Sequence, residues 1–377
     1  MREKMRTAAA FAVMSTVILA APAHADEYRI GVLHALTGNV GFVGVSEVNG
    51  TILGAEEWNK KPKNADKQIK LIIEDTASER GQAMTLVSKL ANRDKALVIL
   101  GPTSSIESLA AAPVTNQEGV ALYTPAVSSD IFKAGPWAFK AVADSDAYMR
   151  PVGKYAVETL KAKRVAIVFD RQNDSTVTQK NNIVADLKKG GATITSENGV
   201  LGSDTDFTVI ATKVVSENPD VVFVSAQAHV GANVIIQLKQ AGLAQDVHVL
   251  GSMNMSTPTL LKLGGKAVEG VTLVGDFAPD GATDEAKAFI GAYQKRFNNP
   301  PDNFAAVGYA QMQVLSAILE KLGPNPTREA VRDALANAVK DIPTVLGTGS
   351  YSIGDKREVQ YTPVLLRVSN GQFVAAK

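Results

Sequence analysis

Residues 97–114 read LVILGPTSSIESLAAAPV, and this stretch decides how the chain folds. A continuous apolar run ends at a Gly-Pro pair, two serines follow, and a helical pattern then begins. Residues 120–132, VALYTPAVSSDIF, repeat the arrangement and carry Ser128 and Ser129 after the proline. A strand that enters a helix through such a turn leaves unpaired backbone N–H groups at the positive end of the helix dipole, where an anion can bind. The two turns therefore predict an anion site at the ends of two strands.

The rest of the chain alternates short apolar runs with longer helical patterns. Continuous runs of Val, Ile and Leu are typical of parallel strands buried on both faces, and their alternation with helices indicates an α/β fold. The runs fall into two sets of about five, divided near residues 142–146, and each set suffices for a doubly wound sheet. We therefore predict two Rossmann-like doubly wound lobes with a ligand cleft between them.

The first 25 residues have the pattern of a cleavable signal peptide. Basic residues precede an apolar stretch over residues 8–21, and Ala23-His24-Ala25 supplies the small residues that a signal peptidase requires. We place cleavage before Asp26 and predict export to the periplasm. The remaining chain is close to neutral, which gives no reason to expect nucleic acid or a charged membrane as a partner. It has no Cys, and its length of about 350 residues allows two hydrophobic cores without disulfides.

The sequence lacks the common signatures of catalysis. Each of the three histidines outside the signal peptide, at His34, His229 and His248, stands alone, so neither HExxH nor another close metal-ligand pair occurs. The absence of Cys excludes thiol chemistry, and neither GxSxG nor SxxK is present. The glycine-rich stretches at residues 38–41 and 264–266 lack the spacing of nucleotide-binding loops. We therefore predict a binding protein with no enzymatic activity, no cofactor and no metal.

Several segments, in order, resemble the periplasmic leucine/isoleucine/valine-binding family, the type I solute-binding proteins of ABC importers. The segments are IGVLHALTGNVGFVGVSEVNGTILGAEEWNKK (30–61), LIIEDTASERGQAMTLVSKL (71–90), ILGPTSS (99–105), YTPAVSS (123–129), FKAVADSDAYMRPVGKY (139–155), KRVAIVFDRQND (163–174) and QLKQAGL (237–243). The resemblance covers essentially the whole chain after the signal peptide. It implies the type I periplasmic binding protein fold, hinge closure around a small ligand, delivery to the membrane permease subunits of an ABC importer, and a monomer.

The resemblance also implies which residues contact the ligand's carboxylate. In the family, residues at the positions of Ser105, Val127 and Ser128 hold it, the two serines through hydroxyl and N–H and Val127 through its backbone. The alternative is that Ser104, Ser105, Ser128 and Ser129 only cap helices, a role that Ser favours.

Departures from the family pattern bear on the rest of the ligand. Members that bind α-amino acids place an acid near the position of Met253, and here no Asp or Glu lies between residues 247 and 263. Two family tyrosines are replaced by Asp174 and Gln227, and an aromatic residue near the side-chain pocket is replaced by Val43. A buried ammonium group without an acid is costly, so a carboxylate without an α-amino group is favoured.

The rest of the predicted pocket follows from the same comparison. Phe42, Met253 and Phe304 are predicted to surround an apolar body, with ordinary core packing as the alternative. Gln227, His229 and Asn254 are candidates for a distal hydroxyl. Asp174 either meets an ammonium group or belongs to a solvated loop.

The chain is expected to cross between the lobes three times, as in the family. Lobe 1 comprises residues 26–142 and 276–357, and lobe 2 comprises residues 143–275 and 358–377. The hinge crossings then lie near Val142, Gly275 and Arg357.

Three functions remain open. The favoured one is uptake of an aromatic or other apolar carboxylate. The second is uptake of branched-chain or related amino acids, with Asp174 in place of the missing acid. The third is a sensor or receptor domain of the same fold, or an exported enzyme.

Overall fold

The computed structural model describes residues 26–280 and 283–376. The predicted signal peptide lies outside the described residues. The strands are β1 (Asp26–His34), β2 (Lys67–Asp75), β3 (Val98–Leu100), β4 (Ala121–Thr124), β5 (Ala138–Lys140), β6 (Arg164–Asp170), β7 (Thr193–Val200), β8 (Val221–Ser225), β9 (His248–Gly251), β10 (Thr272–Gly275), β11 (Ile342–Pro343), β12 (Ser350–Ile353), β13 (Val359–Gln360), β14 (Val364–Ser369) and β15 (Gln372–Ala375).

The α-helices alternate with these strands along most of the chain. They are α1 (Gly41–Lys60), α2 (Arg80–Ser88), α3 (Ser105–Glu118), α4 (Ser145–Lys154), α5 (Asp174–Lys189), α6 (Thr208–Ser216), α7 (Ala228–Gln240), α8 (Pro258–Gly264), α9 (Asp284–Phe297), α10 (Asn303–Leu322) and α11 (Arg328–Asn337). A π-helical turn extends α2 over Lys89–Arg93 and another extends α4 over Tyr155–Thr159.

Two parallel sheets form the centres of two lobes. The first has the order β2-β1-β3-β4-β5, and the second has the order β15-β14-β10-β9-β8-β6-β7. Strands β6 to β10 repeat the order of the first sheet, whereas β14 and β15 add an antiparallel edge. This order is the doubly wound arrangement with one switch point in each sheet. The prediction of two doubly wound α/β lobes is confirmed.

The chain passes between the two sheets three times. It enters the second sheet after β5, leaves it after β10 and returns to it at β14. A small antiparallel sheet, β11-β12-β13, precedes the last return. Because β13 pairs with β12, residues 359–360 belong to this small sheet, just beyond the boundary placed at Arg357. The lobe boundaries stay predictions.

Two long helices of lobe 1, α1 and α10, pack against each other through glycines. A Cβ atom on Gly50 would lie 2.0 Å from the Ala305 carbonyl oxygen, and one on Gly308 would lie 1.9 Å from the Glu47 carbonyl oxygen. Only glycine permits this approach of the two backbones. The contact brings the N-terminal part of α1 next to Phe304 at the start of α10.

The helical pattern in the sequence predicts a helix only over residues 48–60, seven residues after the observed start of α1 at Gly41. The glycines at its start look like a loop, but a Cβ atom on Gly44 would lie 1.9 Å from the Ala35 carbonyl oxygen. The glycine is therefore required by the turn of chain packed against the helix, which local propensity does not register. Helix α8 and the strands β11, β12, β13 and β15 are short, and the alternation of apolar runs and helical patterns does not predict them.

Candidate functional site

The carboxyl ends of the strands in the two sheets supply the walls of one cavity. In each sheet the connections diverge at a switch point, between β1 and β3 in lobe 1 and between β6 and β8 in lobe 2. Ligands of doubly wound folds bind at such points. Residues of the loops that follow these four strands line a cavity of about 490 Å³.

Seven of the nine predicted contact residues line this cavity: Val43, Ser105, Val127, Asp174, Gln227, Met253 and Phe304. His229 and Asn254 line it too. Phe42 and Ser128 are not among the lining residues, and the side chain of Phe42 is 38% exposed. The structure thus brings most of the predicted set together, whereas their contact with a ligand stays a prediction.

The first serine turn divides its two serines between different roles. Ser104 is the N-cap of α3 and forms a capping box, since its hydroxyl accepts from the Glu107 N–H while the Glu107 carboxylate accepts from the Ser104 N–H. Both serines line the cavity, and Ser105, the first residue of the helix, has a hydroxyl that takes no part in the cap. Capping therefore accounts for Ser104 and leaves Ser105 for another function.

The second serine turn meets the first. The Ser128 N–H donates to the Ser105 Oγ at 3.4 Å, and the Ser128 hydroxyl accepts from the Asp130 N–H at the start of a short 3-10 helix. Val127, one residue earlier, is buried at the cavity wall. The two stretches singled out in the sequence thus converge on one corner of the cavity.

The lobe 2 wall is formed by polar loops that are tied to each other. Gln179 donates from Nε2 to the Asn254 Oδ1 at 2.6 Å, and its Oε1 accepts from the Met253 N–H at 3.2 Å. The Asn254 acceptor is therefore occupied. Asn173 caps α5, which places the exposed Asp174 in the first turn, where a carboxylate complements the helix dipole.

A buried polar cluster that the sequence pattern did not predict lies behind the lobe 1 wall. The His34 Nδ1 lies 2.9 Å from the Glu47 Oε2 and 3.0 Å from the Thr103 Oγ1, and Glu47 and Thr103 line the cavity. Burial raises the pKa of the Glu47 carboxyl, and His34 acts in the opposite direction. A lone histidine in a strand and a glutamate in a helix give no local signal of this pairing.

The charges at the cavity wall are all acidic among the described residues. Glu47, Asp170 and Asp174 line the cavity, and no Lys or Arg does. Asp170 is buried, and its Oδ1 accepts from the Gln172 N–H at 3.0 Å. Positive potential comes instead from the N-termini of α3, α5 and α7, which begin at this wall.

The described part of the chain shows neither a membrane-spanning helix nor a group of metal ligands. No helix within residues 26–280 and 283–376 is long and apolar enough to cross a membrane. In the same residues, no group of three or more His, Cys, Asp or Glu side chains is placed to hold a metal ion.

Comparison with known proteins gives consistent matches over the whole described chain. A sequence profile of the periplasmic binding protein family matches residues 27–372. The Leu/Ile/Val-binding protein BraC3 of Rhizobium johnstonii is 29% identical over 97% of this chain and 98% of its own length.

Solved structures match equally broadly. LivJ, a branched-chain amino acid transporter substrate-binding protein from Streptococcus pneumoniae in complex with isoleucine, has a TM-score of 0.84 at 22% identity over 93% of this chain and 99% of its own. An ABC transporter solute-binding protein from Rhodopseudomonas palustris in complex with 3,4-dihydroxybenzoic acid has a TM-score of 0.82 at 23% identity over 93% of this chain and 96% of its own. The chain shares the two-lobed fold of these proteins.

Proposed function

The chain belongs to the periplasmic binding protein family, and from this premise we propose that it captures a small carboxylate for an ABC importer. The ligand class that we favour is an aromatic or other apolar carboxylate without an α-amino group. One observation carries the proposal: the two serine turns converge at one corner of the cavity, where α3 begins.

This corner has the donors that a carboxylate needs. At the start of α3 the Ser104 cap takes the Glu107 N–H and leaves the Ser105 hydroxyl outside the cap, and the helix dipole favours an anion there. The contact between the Ser128 N–H and the Ser105 Oγ is long, at 3.4 Å, so a carboxylate oxygen is a better acceptor for that N–H. Charge-assisted hydrogen bonds of this kind are the stronger class.

The remainder of the cavity suits an apolar body. Val43, Met253 and Phe304 contribute apolar side chains to the wall. At the position where the family resemblance places an acid for an ammonium group, Met253 is followed by Asn254, whose side-chain oxygen already accepts from Gln179. The solved protein from Rhodopseudomonas palustris gives an example of this fold with an aromatic carboxylate.

Closure of the two lobes is part of the proposal. Because both lobes line the cavity, a bound ligand contacts both and stabilises the closed state. The hinge crossings near Val142, Gly275 and Arg357 would bend, and water would be excluded from the corner formed by the serine turns.

A second candidate is an α-amino acid. Asp170 and Asp174 line the lobe 2 wall, and Asp174, whose carboxylate is exposed, is the one that we assign to an ammonium group. The relative from Rhizobium johnstonii is named a Leu/Ile/Val-binding protein, and LivJ was solved with isoleucine.

A thermal-shift screen separates the two candidates. The panels are benzoate and its hydroxylated derivatives on one side, and L-leucine, L-isoleucine and L-valine on the other. A ligand at about 100 times its dissociation constant adds about 2.7 kcal/mol of stability, which raises the melting temperature measurably. A rise with the benzoate panel alone supports the favoured proposal, and a rise with amino acids alone replaces it by the second candidate. No rise with either panel contradicts both.

Two neighbouring serines provide a matched pair of variants. Ser105→Ala is expected to raise the dissociation constant about tenfold, because a charge-assisted hydrogen bond is lost. Ser104→Ala is expected to lower stability by about 1 kcal/mol through the lost cap, with a change in dissociation constant below about threefold. Equal effects of both variants on binding would contradict the assignment of Ser105.

Asp174→Asn should abolish most affinity for an amino acid and leave benzoate binding nearly unchanged.

A further inference from the structure

A fully buried lysine lies behind the corner formed by the serine turns. Lys140, the last residue of β5, is 0% exposed. Its Nζ donates to the Val127 carbonyl oxygen at 2.7 Å, to the Ser129 Oγ at 3.3 Å and to the Asp144 carboxylate. Two of these three acceptors belong to the second serine turn.

The Val127 carbonyl and the Ser128 N–H are the two ends of one peptide unit. In a trans peptide, the C=O and N–H bonds point in opposite directions. The lysine therefore holds the carbonyl end, and the N–H end points away from it, towards Ser105. An ammonium group on the carbonyl oxygen also polarises the peptide, since hydrogen bonds in series strengthen one another. The Ser128 N–H becomes a better donor to an anion.

We propose that Lys140 is the positioning cation of this anion site, and that it acts on the ligand's carboxylate through the peptide between Val127 and Ser128. The inference rests on the proposed function, because it requires a carboxylate at the serine turns. It also accounts for a wall that binds an anion although no Lys or Arg of the described residues lines the cavity. Lys140 lies one peptide unit behind the cavity wall, so it attracts the ligand's carboxylate while its own charge stays paired with Asp144.

Asp144 balances the lysine without cancelling it. The Asp144 side chain is 39% exposed, so water screens its charge, whereas the lysine is enclosed. Burial lowers the pKa of Lys140 and Asp144 opposes that change. Burial also works against ionisation of Asp144, but Lys140 lowers the pKa of that carboxyl. The two groups thus stabilise each other's charged forms.

The test compares a carboxylate with its neutral amide. Benzoate and benzamide are titrated by calorimetry into the wild type, Lys140→Met, Lys140→Arg and Asp144→Asn, with L-leucine and L-leucinamide as the second pair. Lys140→Met is expected to weaken the carboxylate about tenfold and the amide less than about threefold, because only the carboxylate senses the lost charge. Lys140→Arg should restore carboxylate binding to within about threefold of wild type.

Asp144→Asn is the control for a merely structural role. It removes the carboxylate that favours the charged form of Lys140, so the titrations are run at about pH 6 to keep the lysine protonated, and carboxylate affinity should then stay level or rise. Equal losses for carboxylate and amide in Lys140→Met, or a loss in Asp144→Asn as large as in Lys140→Met, would overturn the proposal. If Ser105→Ala weakens benzoate and Lys140→Met does not, only the role of Lys140 fails. If neither variant changes binding, the proposed carboxylate site fails as well.

A measurement without ligand covers the case in which neither probe binds or Lys140→Met is poorly folded. Labelling with 13C-carbonyl valine and 15N-serine selects the peptide between Val127 and Ser128 among a few Val–Ser pairs. The Ser128 amide proton should move upfield when Lys140 is replaced by Gln, and stay near its position in Lys140→Arg. An unchanged shift in the Gln variant would contradict the polarisation.

Discussion

The segments that connect the two lobes meet at one buried carboxylate, and its removal is expected to destabilise the protein strongly. Asp276 follows β10 and is 1% exposed. Its Oδ1 accepts from the hydroxyls of Tyr148 and Tyr361, and its Oδ2 accepts from the Asn303 Nδ2 at 3.1 Å. These partners come from α4, from the last return of the chain and from the start of α10. Burial raises the pKa of Asp276, and the hydrogen bonds from its partners oppose that change.

Asp276→Ala takes the acceptor from two hydroxyls and an amide, and only the pairing of the Tyr148 and Tyr361 hydroxyls with each other, at 3.0 Å, remains. Each hydrogen bond to a charged group contributes about 1.5–3 kcal/mol, and release of the buried carboxylate offsets part of the sum, so we expect a loss of about 4 kcal/mol. With an unfolding entropy of about 2.1 cal/mol/K per residue over about 350 residues, the melting temperature should fall by about 5 °C. Differential scanning calorimetry of a protein that comprises residues 26–377 measures this fall.

A conservative variant serves as the control. Asp276→Asn keeps one acceptor oxygen, so its melting temperature should lie between those of the wild type and the alanine variant. A fall below about 1 °C for Asp276→Ala, or a larger fall for the asparagine variant, would refute the reasoning, since it would mean that the three donors gain nothing from this carboxylate.

Three other predictions concern packing, pH and the cavity wall. Gly308→Ala should lower stability by about 3 kcal/mol in thermal unfolding, because its Cβ atom would lie 1.9 Å from a carbonyl oxygen. Gly291→Ala, with open space around the added Cβ atom, is the control and should be neutral or stabilising. Similar results for the two variants would contradict the close contact between α1 and α10. Burial opposes ionisation of Asp75, but hydrogen bonds from Ala77, Thr37 and Leu36 outweigh burial and lower the pKa of this carboxyl. The ionised carboxylate therefore stabilises the folded protein above pH 3.8, and this contribution is lost as the pH falls through the folded-state pKa. Urea unfolding should therefore separate the wild type from Asp75→Asn by about 1–2 kcal/mol at pH 7 and much less in strong acid, and a gap that does not depend on pH would exclude this role. Phe304→Ala should raise the dissociation constant for benzoate about tenfold with an intact fold by circular dichroism, and unchanged binding would remove this ring from the site.

The strands β1 to β10 and β14 were predictable because their sequence signal is local. Residues 97–114 combine a buried apolar run, a Gly-Pro break and a serine cap, and the structure has β3, the turn and α3 there. Each such unit repeats the same elementary pattern, and the doubly wound order follows from the handedness of the connections.

The start of α1 and the polar clusters depend on contacts that are distant in sequence. Gly44 is a poor helix former, and a glycine is needed there only because the Ala35 carbonyl oxygen packs against the helix. His34 and Glu47 meet because a strand end lies beside a helix. Lys140 meets the Val127 carbonyl only because β5 lies beside β4, the strand that leads into that turn.

The two adjacent serines show the same limit within the site. Ser104 and Ser105 are chemically identical, and each is a good helix cap. Both line the cavity, and only the geometry of the turn assigns the cap to Ser104 and leaves the Ser105 hydroxyl outside the cap. The resemblance to the family selected Ser105 from the sequence, whereas residue preference alone did not.

The position of the carboxylate is the central claim, and a crystal structure of the complex tests it most directly. The crystals would contain whichever compound gives the largest thermal shift in the two panels. We expect a carboxylate oxygen within about 3 Å of the Ser105 Oγ and of the Ser128 nitrogen, with the ligand's body against Val43, Met253 and Phe304. A carboxylate bound elsewhere, or a ligand whose ammonium group occupies the serine corner, would contradict the account.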